Sequence, residues 1–490
     1  MSLGKKTAQG VLWNLMSFGG SKVLTFVTTI ILTRLLVPES FGQVALALVT
    51  ITGLEAIGSL GIGAALIYQR DNIERASNVA FSISIAMGLI LWATTTLAAP
   101  FIGSYFGDPE VTPLLRVLAF VFIIQSLGSI HNSLLSKELS FKRKLLPDLS
   151  RTLVKGGASI TLALLGWGPW SLIWGQLLGE IATTVALWIV QPFRPRFVWD
   201  IQLGRVMLLY GLQIIAVETM AVLYTNVDYV IVGKVMGTAD LAIYRQAFMV
   251  ADLLIISLCW ITARVLFPSY SKLSHDLGAL RKGFLVTLRY IALVTMPLGF
   301  GLCAVAPLFV RTIFTEQWYG MIPLLQWLAL RAAMDTLSFN AGSVFKAIGR
   351  PVIISKLIVV RLLILVPILL VAVRFGVIGV AVGQLGMAII AGLLDFGMVK
   401  HVINVPFRDI FKSIQAALVA ALGMCAVVWL FVSNSPYIWP GFALAGAVCI
   451  GIIMYAALLW VIERQFVLET SRTVLHVLRP ERPTLARQER

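Results

Sequence analysis

Long apolar stretches, separated by short polar turns, occupy the chain almost from end to end. A helix needs roughly 20 mostly apolar residues to cross a hydrocarbon core of about 30 Å. About fourteen stretches meet this condition, at 9–36, 40–67, 76–99, 111–136, 146–166, 169–191, 204–236, 239–271, 280–304, 320–347, 352–373, 376–400, 409–432 and 438–463. The pattern predicts an all-α polytopic membrane protein with about 14 transmembrane helices, of which the seventh and eighth are long enough to protrude or kink.

Two segments recur about 200 positions further along the chain. The run from Arg34 to Gly42, where an apolar helix ends at a basic residue before a polar turn, matches the run from Lys234 to Ala242. Residues 168–176 match 376–384 in the same way, and both copies carry a Gly-Gln pair. Six predicted spans separate the copies, and an even number keeps both in the same orientation across the membrane.

This duplication predicts two six-helix lobes arranged as parallel repeats, followed by two further helices. The predicted units are an N-lobe with spans 1–6 at 1–200, a C-lobe with spans 7–12 at 201–405, two additional spans at 406–463 and a cytoplasmic tail at 464–490.

Composition supports the membrane assignment and fixes an orientation. With 59% hydrophobic and 13% charged residues, the chain has too little polar surface to cover a soluble core. Lysines and arginines concentrate in the loops at one end of the predicted spans, so the positive-inside rule predicts that both termini are cytoplasmic. The formal charge of +16 is then a topology signal, and no nucleic-acid partner is expected.

Several kinds of chemistry are not indicated. The four cysteines fall inside spans, and the four histidines are scattered, so neither a disulfide framework nor a metal cluster is expected. No phosphate-binding Gly-rich loop of the ATPase type is present, which argues against ATP as the direct energy source. We expect no cofactor.

Charged residues inside the spans are the candidates for function. A charge facing lipid costs at least about 2.5 kcal/mol, so these side chains are expected to face an interior between the lobes. Lys22, Arg245 and Arg264 form the best anion-binding set, because a desolvated phosphate needs charge-assisted donors. The ion-coupling candidates are Glu55, Asp228 and Asp252.

Other intramembrane charges have structural explanations at least as good. Arg331 and Asp335 are four residues apart and are expected to pair with each other. Glu180 and Asp395 could be proton or cation sites or helix-packing partners. Arg151, Lys155 and Arg361 lie close enough to the predicted cytoplasmic ends to snorkel.

Four short motifs resemble a known family along almost the whole chain. They are Arg34-Leu35-Leu36-x-Pro38-Glu39-x-Phe41-Gly42, Lys137-Glu138-Leu139-Ser140-Phe141, Arg264-Val265-Leu266-Phe267-Pro268, and Trp318 followed by Ile322-Pro323-Leu324-Leu325-Gln326. In combination they resemble the polysaccharide-transporter branch of the multidrug/oligosaccharidyl-lipid/polysaccharide exporter superfamily, and within it the colanic-acid-type Wzx flippases.

The resemblance implies a V-shaped, MATE-like fold and a transport function. Its expected substrate is an oligosaccharide repeat unit, of the exopolysaccharide or O-antigen type, joined by pyrophosphate to a polyprenyl lipid. The protein would move this unit across the bacterial inner membrane by alternating access, coupled to H⁺, Na⁺ or the membrane potential. Membrane lipids and the polysaccharide polymerase or export machinery are the implied partners.

Specific residues receive roles by position only. Arg34 matches the family motif near the outer end of its helix, where it would close an external gate or cap the helix C-terminus. Gln125 and Trp327, with Tyr224, are candidate sugar contacts, although aromatic packing explains the rings equally well.

Three other functions compete with the flippase. A MATE-like drug/cation antiporter would need a compact acidic site, whereas this interior offers at least as many basic groups as acidic ones. A membrane polysaccharide polymerase or ligase would need larger exposed loops than the chain provides. A scaffold for a biosynthetic complex would not require buried charges. The sequence therefore favours a transporter that is not an enzyme.

Overall fold

The predicted membrane segments are helical throughout the described chain. The computed structural model describes residues 3–58, 61–68, 72–138, 141–434 and 440–464. Its α-helices are α1 (Leu3–Leu35), α2 (Pro38–Gly58), α3 (Ile62–Tyr68), α4 (Ile73–Phe106), α5 (Val111–Leu118), α6 (Phe120–Lys137), α7 (Phe141–Leu164), α8 (Pro169–Val190), α9 (Ile201–Met236), α10 (Thr238–Ala251), α11 (Ser257–Leu273), α12 (Leu277–Ile313), α13 (Met321–Ser338), α14 (Ala341–Ala347), α15 (Val352–Ala372), α16 (Gly376–Ile403), α17 (Phe407–Asn434) and α18 (Pro440–Ile462).

Each of the fourteen predicted stretches corresponds to one helix or to two helices consecutive in the chain. Of the two predicted long spans, the first is α9, a single helix of 36 residues. At 1.5 Å per residue, its length exceeds the thickness of a hydrocarbon core of about 30 Å. The other is interrupted by a π-helical turn at Asp252–Ile256, between α10 and α11. Sharp helix kinks commonly occur at such turns, so the kink stays a prediction at this position.

Within the described ranges, nine helical segments are long and apolar enough to cross a membrane. Two of them are composite, since α5 joins α6 and α15 joins α16. Outside this set are α3, α10, α11 and α14, which are shorter than 18 residues, and α1, α7 and α13, which carry charges such as Lys22, Arg151 and Arg331. The all-α polytopic class is confirmed, whereas the count of fourteen spans stays a prediction.

The helices pack mainly within two sets, one from each half of the chain. In the first half α7 packs on α1 and α8, and α4 packs on α6. In the second half α12 packs on α13, α17 and α18, and α13 packs on α16. The main contacts between the sets are those of α2 with α9 and α10. The last two helices thus add to the second set, on the side of α12.

Two ends of the molecule are distinguished by their loops. We call the end at which α1, α4, α9 and α12 finish the Arg34 end, and the end at which α9 and α12 begin the basic end. Ion pairs join separate segments of the chain at the basic end, where Arg75 pairs with Asp200 at 2.7 Å and Arg281 pairs with Asp409 at 2.6 Å. The Asp200 carboxylate also accepts from the backbone N–H of Leu203 at the start of α9, which lowers the pKa of Asp200.

Candidate functional site

A cavity of about 1000 Å³ lies among α1, α9, α10, the π-helical turn, α11, α13, α14, α15 and α16. It extends from Lys22 and Thr25, near the middle of α1, to Phe345 and Ile354 close to the basic end. Its described lining carries four basic and four acidic side chains, namely Lys22, Arg245, Arg331, Arg361, Asp228, Asp252, Asp335 and Asp395. The described lining is therefore rich in charge but formally neutral.

Arg331 is the centre of one ion-pair group. It donates to Asp335 at 2.8 Å, so the predicted i, i+4 pair is confirmed. The sequence did not indicate its second partner, Asp252 of the π-helical turn, to which Arg331 also donates. The guanidinium carbon lies 4.0 Å from the centre of the Phe248 ring, a cation–π contact that fixes the plane of the group.

Arg361 and Asp395 form a second ion pair in the same cavity. The sequence suggested that Arg361 snorkels toward the basic end, but its side chain is only 18% exposed and donates to the buried Asp395 of α16. This prediction was wrong because the pattern of α15 alone gives no sign of a carboxylate on a neighbouring helix. The packing interpretation of Asp395 is the one that the geometry favours.

Asp228 on α9 is buried and fully hydrogen-bonded. Its carboxylate accepts from the Tyr244 hydroxyl at 2.7 Å, from the Gln384 side-chain amide at 2.9 Å and from the backbone N–H of Tyr229 at 2.9 Å. These donors offset the cost of burying a charge. They also join α9, α10 and α16 at one point.

Arg245 differs from the other two arginines of the cavity. In the part of the chain that the structure describes, no carboxylate pairs with it, and its guanidinium carbon lies 5.9 Å from the Tyr229 ring. Lys22, across the cavity on α1, interacts electrostatically with Asp252. The predicted anion-binding residues Lys22 and Arg245 therefore share one cavity, and Arg245 keeps its charge available.

The remaining predicted site residues lie elsewhere. Glu55 and Gln125 are neighbours in the first half of the chain, near Arg151 and the buried Glu180. Trp327 is 38% exposed and is absent from the described lining of the cavity. The side chain of Arg264 lies outside the described residues. The structure thus brings together Lys22, Arg245, Asp228 and Asp252 but not Glu55, Gln125 or Trp327.

Two matching bonds join the halves of the chain at the Arg34 end. Arg34, at the end of α1, donates from Nη2 to the backbone carbonyl of Ile313 at 3.1 Å, where α12 ends. Lys234, its counterpart in the sequence repeat, donates from the end of α9 to the backbone carbonyl of Tyr105, where α4 ends. Each cation therefore contacts the negative end of a helix from the other half. We call this pair of bonds the double latch.

Close packing reinforces the double latch. Trp318 donates from its indole nitrogen to the backbone carbonyl of Thr33 at 2.9 Å and packs edge-on against Phe41 at 5.3 Å. A Cβ atom on Gly42 would lie 1.9 Å from the backbone oxygen of Thr238, so α2 and α10 approach to backbone contact here. The cavity is thus separated from the Arg34 end by direct contacts between the two halves.

Comparison with known proteins gives consistent matches. A model of the polysaccharide biosynthesis protein family matches residues 31–323. The lipopolysaccharide biosynthesis protein WzxC of Escherichia coli is 25% identical over 422 residues, which cover 84% of this chain and 85% of WzxC. The succinoglycan biosynthesis transport protein ExoT of Rhizobium meliloti is 25% identical over 496 residues, with 98% and 97% of the two chains covered.

A solved structure shares the fold. The lipid II flippase MurJ in an inward closed conformation superposes with a TM-score of 0.79 at 17% sequence identity, covering 93% of this chain and 100% of MurJ. At that identity the match establishes the fold alone, which is all-α and polytopic, in agreement with the fold class that the apolar pattern predicts.

Proposed function

The chain belongs to the polysaccharide biosynthesis protein family, and from this membership we propose that it is a flippase. Its substrate is an oligosaccharide of the exopolysaccharide or O-antigen type, linked by pyrophosphate to a polyprenyl lipid. The observation that carries this proposal is the charged cavity, in which Arg245 is held without a carboxylate partner among the described residues. A pyrophosphate leaving water needs such charge-assisted donors.

The protein works by alternating access, with the membrane lipids around the two lobes holding the polyprenyl chain. In this conformation the cavity reaches toward the basic end, while the double latch and the Gly42 contact separate it from the Arg34 end. We take the basic end and both termini to be cytoplasmic in a bacterial inner membrane. The conformation then offers the cavity to the substrate on the side where it is synthesised.

The organisation into an N-lobe at 1–200, a C-lobe at 201–405, two additional helices at 406–463 and a cytoplasmic tail at 464–490 is part of the proposal. The matching positions of Arg34 and Lys234 in the double latch support the parallel repeat, because equivalent residues make equivalent bonds. Handover to a polysaccharide polymerase or export complex follows on the opposite membrane face.

Removing the double latch is expected to open the Arg34 end. Each bond involves an exposed cation and contributes about 0.5–1 kcal/mol, so Arg34→Ala combined with Lys234→Ala should shift the population toward an open Arg34 end by about tenfold. In a variant lacking the four native cysteines, Thr25→Cys in the cavity reports this opening through labelling by a membrane-impermeant maleimide in intact cells.

Arg374→Ala is the matched control for the double latch. Arg374 lies at the same end, after α15, and within the described residues it makes no bond to the other half. Its replacement should leave labelling of the cavity cysteine unchanged. Equal labelling of the control and the double-latch variant would remove these two bonds from the gate.

Ion coupling is assigned to Asp228, with Asp252 and Glu55 as the other carboxylates to compare. The carboxylate of Asp228 connects three helices of the cavity wall, so occupancy by H⁺ or Na⁺ would alter all three contacts together. Asp228→Asn keeps the size of the side chain and should reduce the acceleration by an imposed ion gradient at least tenfold. Flux through the variant in liposomes, measured with and without the gradient, checks this; an undiminished gradient response would locate coupling elsewhere.

Translocation in liposomes is the direct test of function. The purified protein is reconstituted with a lipid-pyrophosphate-linked oligosaccharide labelled on one face, with and without an ion gradient. Protein-dependent movement to the other face is expected. Failure to move this lipid, together with gradient-driven efflux of an organic cation, would instead assign the chain to the drug/cation antiporters. Polymer growth without movement would indicate a polymerase or ligase.

A further inference from the structure

Arg331 is the most buried cation among the described residues that line the cavity, with 7% of its side chain exposed. One carboxylate would neutralise it, yet it holds two, Asp252 and Asp335. The three side chains together carry one net negative charge. A second carboxylate is not needed to neutralise the arginine and costs desolvation; its own charge is offset by Lys22 across the cavity.

The two bonds of Arg331 differ in how easily they can break. Asp335 lies one helical turn away on α13, so the helix itself keeps it beside Arg331. Asp252 comes from a different part of the chain, its side chain is 37% exposed, and it lies at the first position of the π-helical turn. Isolated π-helical turns occur frequently at functional sites. The Asp252 bond is therefore the exchangeable one.

The guanidinium of Arg331 also has a hydrogen-bond donor available for a further acceptor. Its Nε atom is buried and lacks a hydrogen-bond partner in the described part of the molecule. The Phe248 ring covers one face of the group at 4.0 Å and leaves its edge for hydrogen bonding. A guanidinium edge binds carboxylate and phosphate oxygens in the same planar, two-pronged geometry. A phosphate can thus take the position that Asp252 holds.

We propose that Asp252 is an internal substitute for the diphosphate of the substrate. Asp252 pairs with Arg331 in the structure; a diphosphate displaces Asp252 and binds Arg331 directly, while Asp335 stays paired. The identity of this anion rests on the proposed flippase function. Displacement also frees the π-helical turn from α13, so binding of the anion loosens a contact between two walls of the cavity.

Asp252→Asn tests the substitution directly, because it removes the competing charge and keeps the shape of the side chain. The full-length protein in detergent is titrated with farnesyl diphosphate, a soluble prenyl diphosphate, and binding is followed by calorimetry. In the variant, the charge-assisted bond from Arg331 to the Asp252 carboxylate is replaced by a weaker bond to an amide oxygen, which the diphosphate displaces more easily. The variant should therefore bind farnesyl diphosphate about tenfold tighter than the unaltered protein. A gain in affinity cannot result from misfolding.

Two further variants distinguish competition at Arg331 from a general change of charge. Asp395→Asn removes a carboxylate of the same cavity that pairs with Arg361, and it should give a much smaller gain. Arg331→Lys added to Asp252→Asn should cancel the gain, because lysine lacks the two-pronged edge. Any of three results would overturn the proposal. They are no gain in affinity for farnesyl diphosphate in Asp252→Asn, an equal gain in Asp395→Asn, and a gain that remains when Arg331→Lys is added.

The outcome is separable from that of the proposed function. Suppose that the unaltered protein translocates the lipid-linked oligosaccharide and that Asp252→Asn gains no affinity for farnesyl diphosphate. This pair of results would refute the role of Asp252 and support the flippase function. A gain at Asp252→Asn in a protein that moves no such lipid would establish the anion site and reject the flippase.

Discussion

Arg245→Ala is expected to stop transport while leaving the protein folded and inserted. Its guanidinium lines the cavity, and among the described residues it pairs with no carboxylate, so its removal strands no buried charge. Two charge-assisted hydrogen bonds to a pyrophosphate contribute about 3 kcal/mol together, which corresponds to at least a hundredfold loss of substrate binding. Liposome translocation and polymer export by cells should both fall by about this factor.

Arg311→Ala provides a closely matched control. The Arg311 guanidinium also faces a tyrosine ring, with 5.6 Å to Tyr319 against 5.9 Å from Arg245 to Tyr229, but Arg311 is exposed at the Arg34 end. Transport by this variant should remain near that of the unaltered protein. Normal export by Arg245→Ala would exclude Arg245 from the site. Lys22→Ala would then test whether Lys22 on α1 is sufficient to bind the pyrophosphate.

Gly42→Ala is expected to prevent the Arg34 end from closing. The added Cβ would lie 1.9 Å from the oxygen and 2.5 Å from the carbonyl carbon of Thr238. These are backbone atoms, so no side-chain rotation relieves the clash, and α2 must separate from α10. Overpacking of this kind costs about 2 kcal/mol, which shifts the conformational population by roughly thirtyfold. The cavity cysteine at position 25 should then become labelled from outside, and transport should fall.

Gly53→Ala on the same helix is the comparison for Gly42→Ala. No atom lies within 4 Å of a Cβ built on Gly53, so the same change of residue meets open space. Alanine there should preserve transport and cavity labelling, and its better helix propensity favours the fold slightly. If Gly42→Ala behaved like Gly53→Ala, the contact between α2 and α10 would not belong to the gate.

The sequence predicted the helices well and their partners poorly. Apolar length alone identified each helical stretch, because the bilayer requires a run of about 20 residues. It did not predict that Asp252 reaches Arg331, or that Arg361 reaches Asp395, since each of these bonds joins two different helices. The pairing of Arg331 with Asp335 was predictable because both lie one turn apart on one helix.

The internal repeat contained more information than its use for topology suggests. Its Gly-Gln pairs place Gln176 and Gln384 at equivalent positions, and each side chain donates to a buried carboxylate, Glu180 at 3.1 Å and Asp228 at 2.9 Å. Glu180 lies one turn from Gln176 on α8, whereas Asp228 lies on α9, so the repeat signals that Gln384 has a polar role but not which residue it binds. Tyr244, which also donates to Asp228, had no such signal, because a tyrosine in an apolar helix usually packs in the core.

The double latch affects how the sequences of the two halves can change in evolution. Both acceptors are main-chain carbonyls, at Tyr105 and Ile313, so only the donor position of each bond depends on side-chain chemistry. A substitution at position 313 leaves its acceptor in place and needs no compensating change at 34, whereas the Tyr105 ring also lies 4.6 Å from the Lys234 ammonium. Pairwise covariation among relatives should therefore be weaker between positions 34 and 313 than between 234 and 105, although both contacts join the halves.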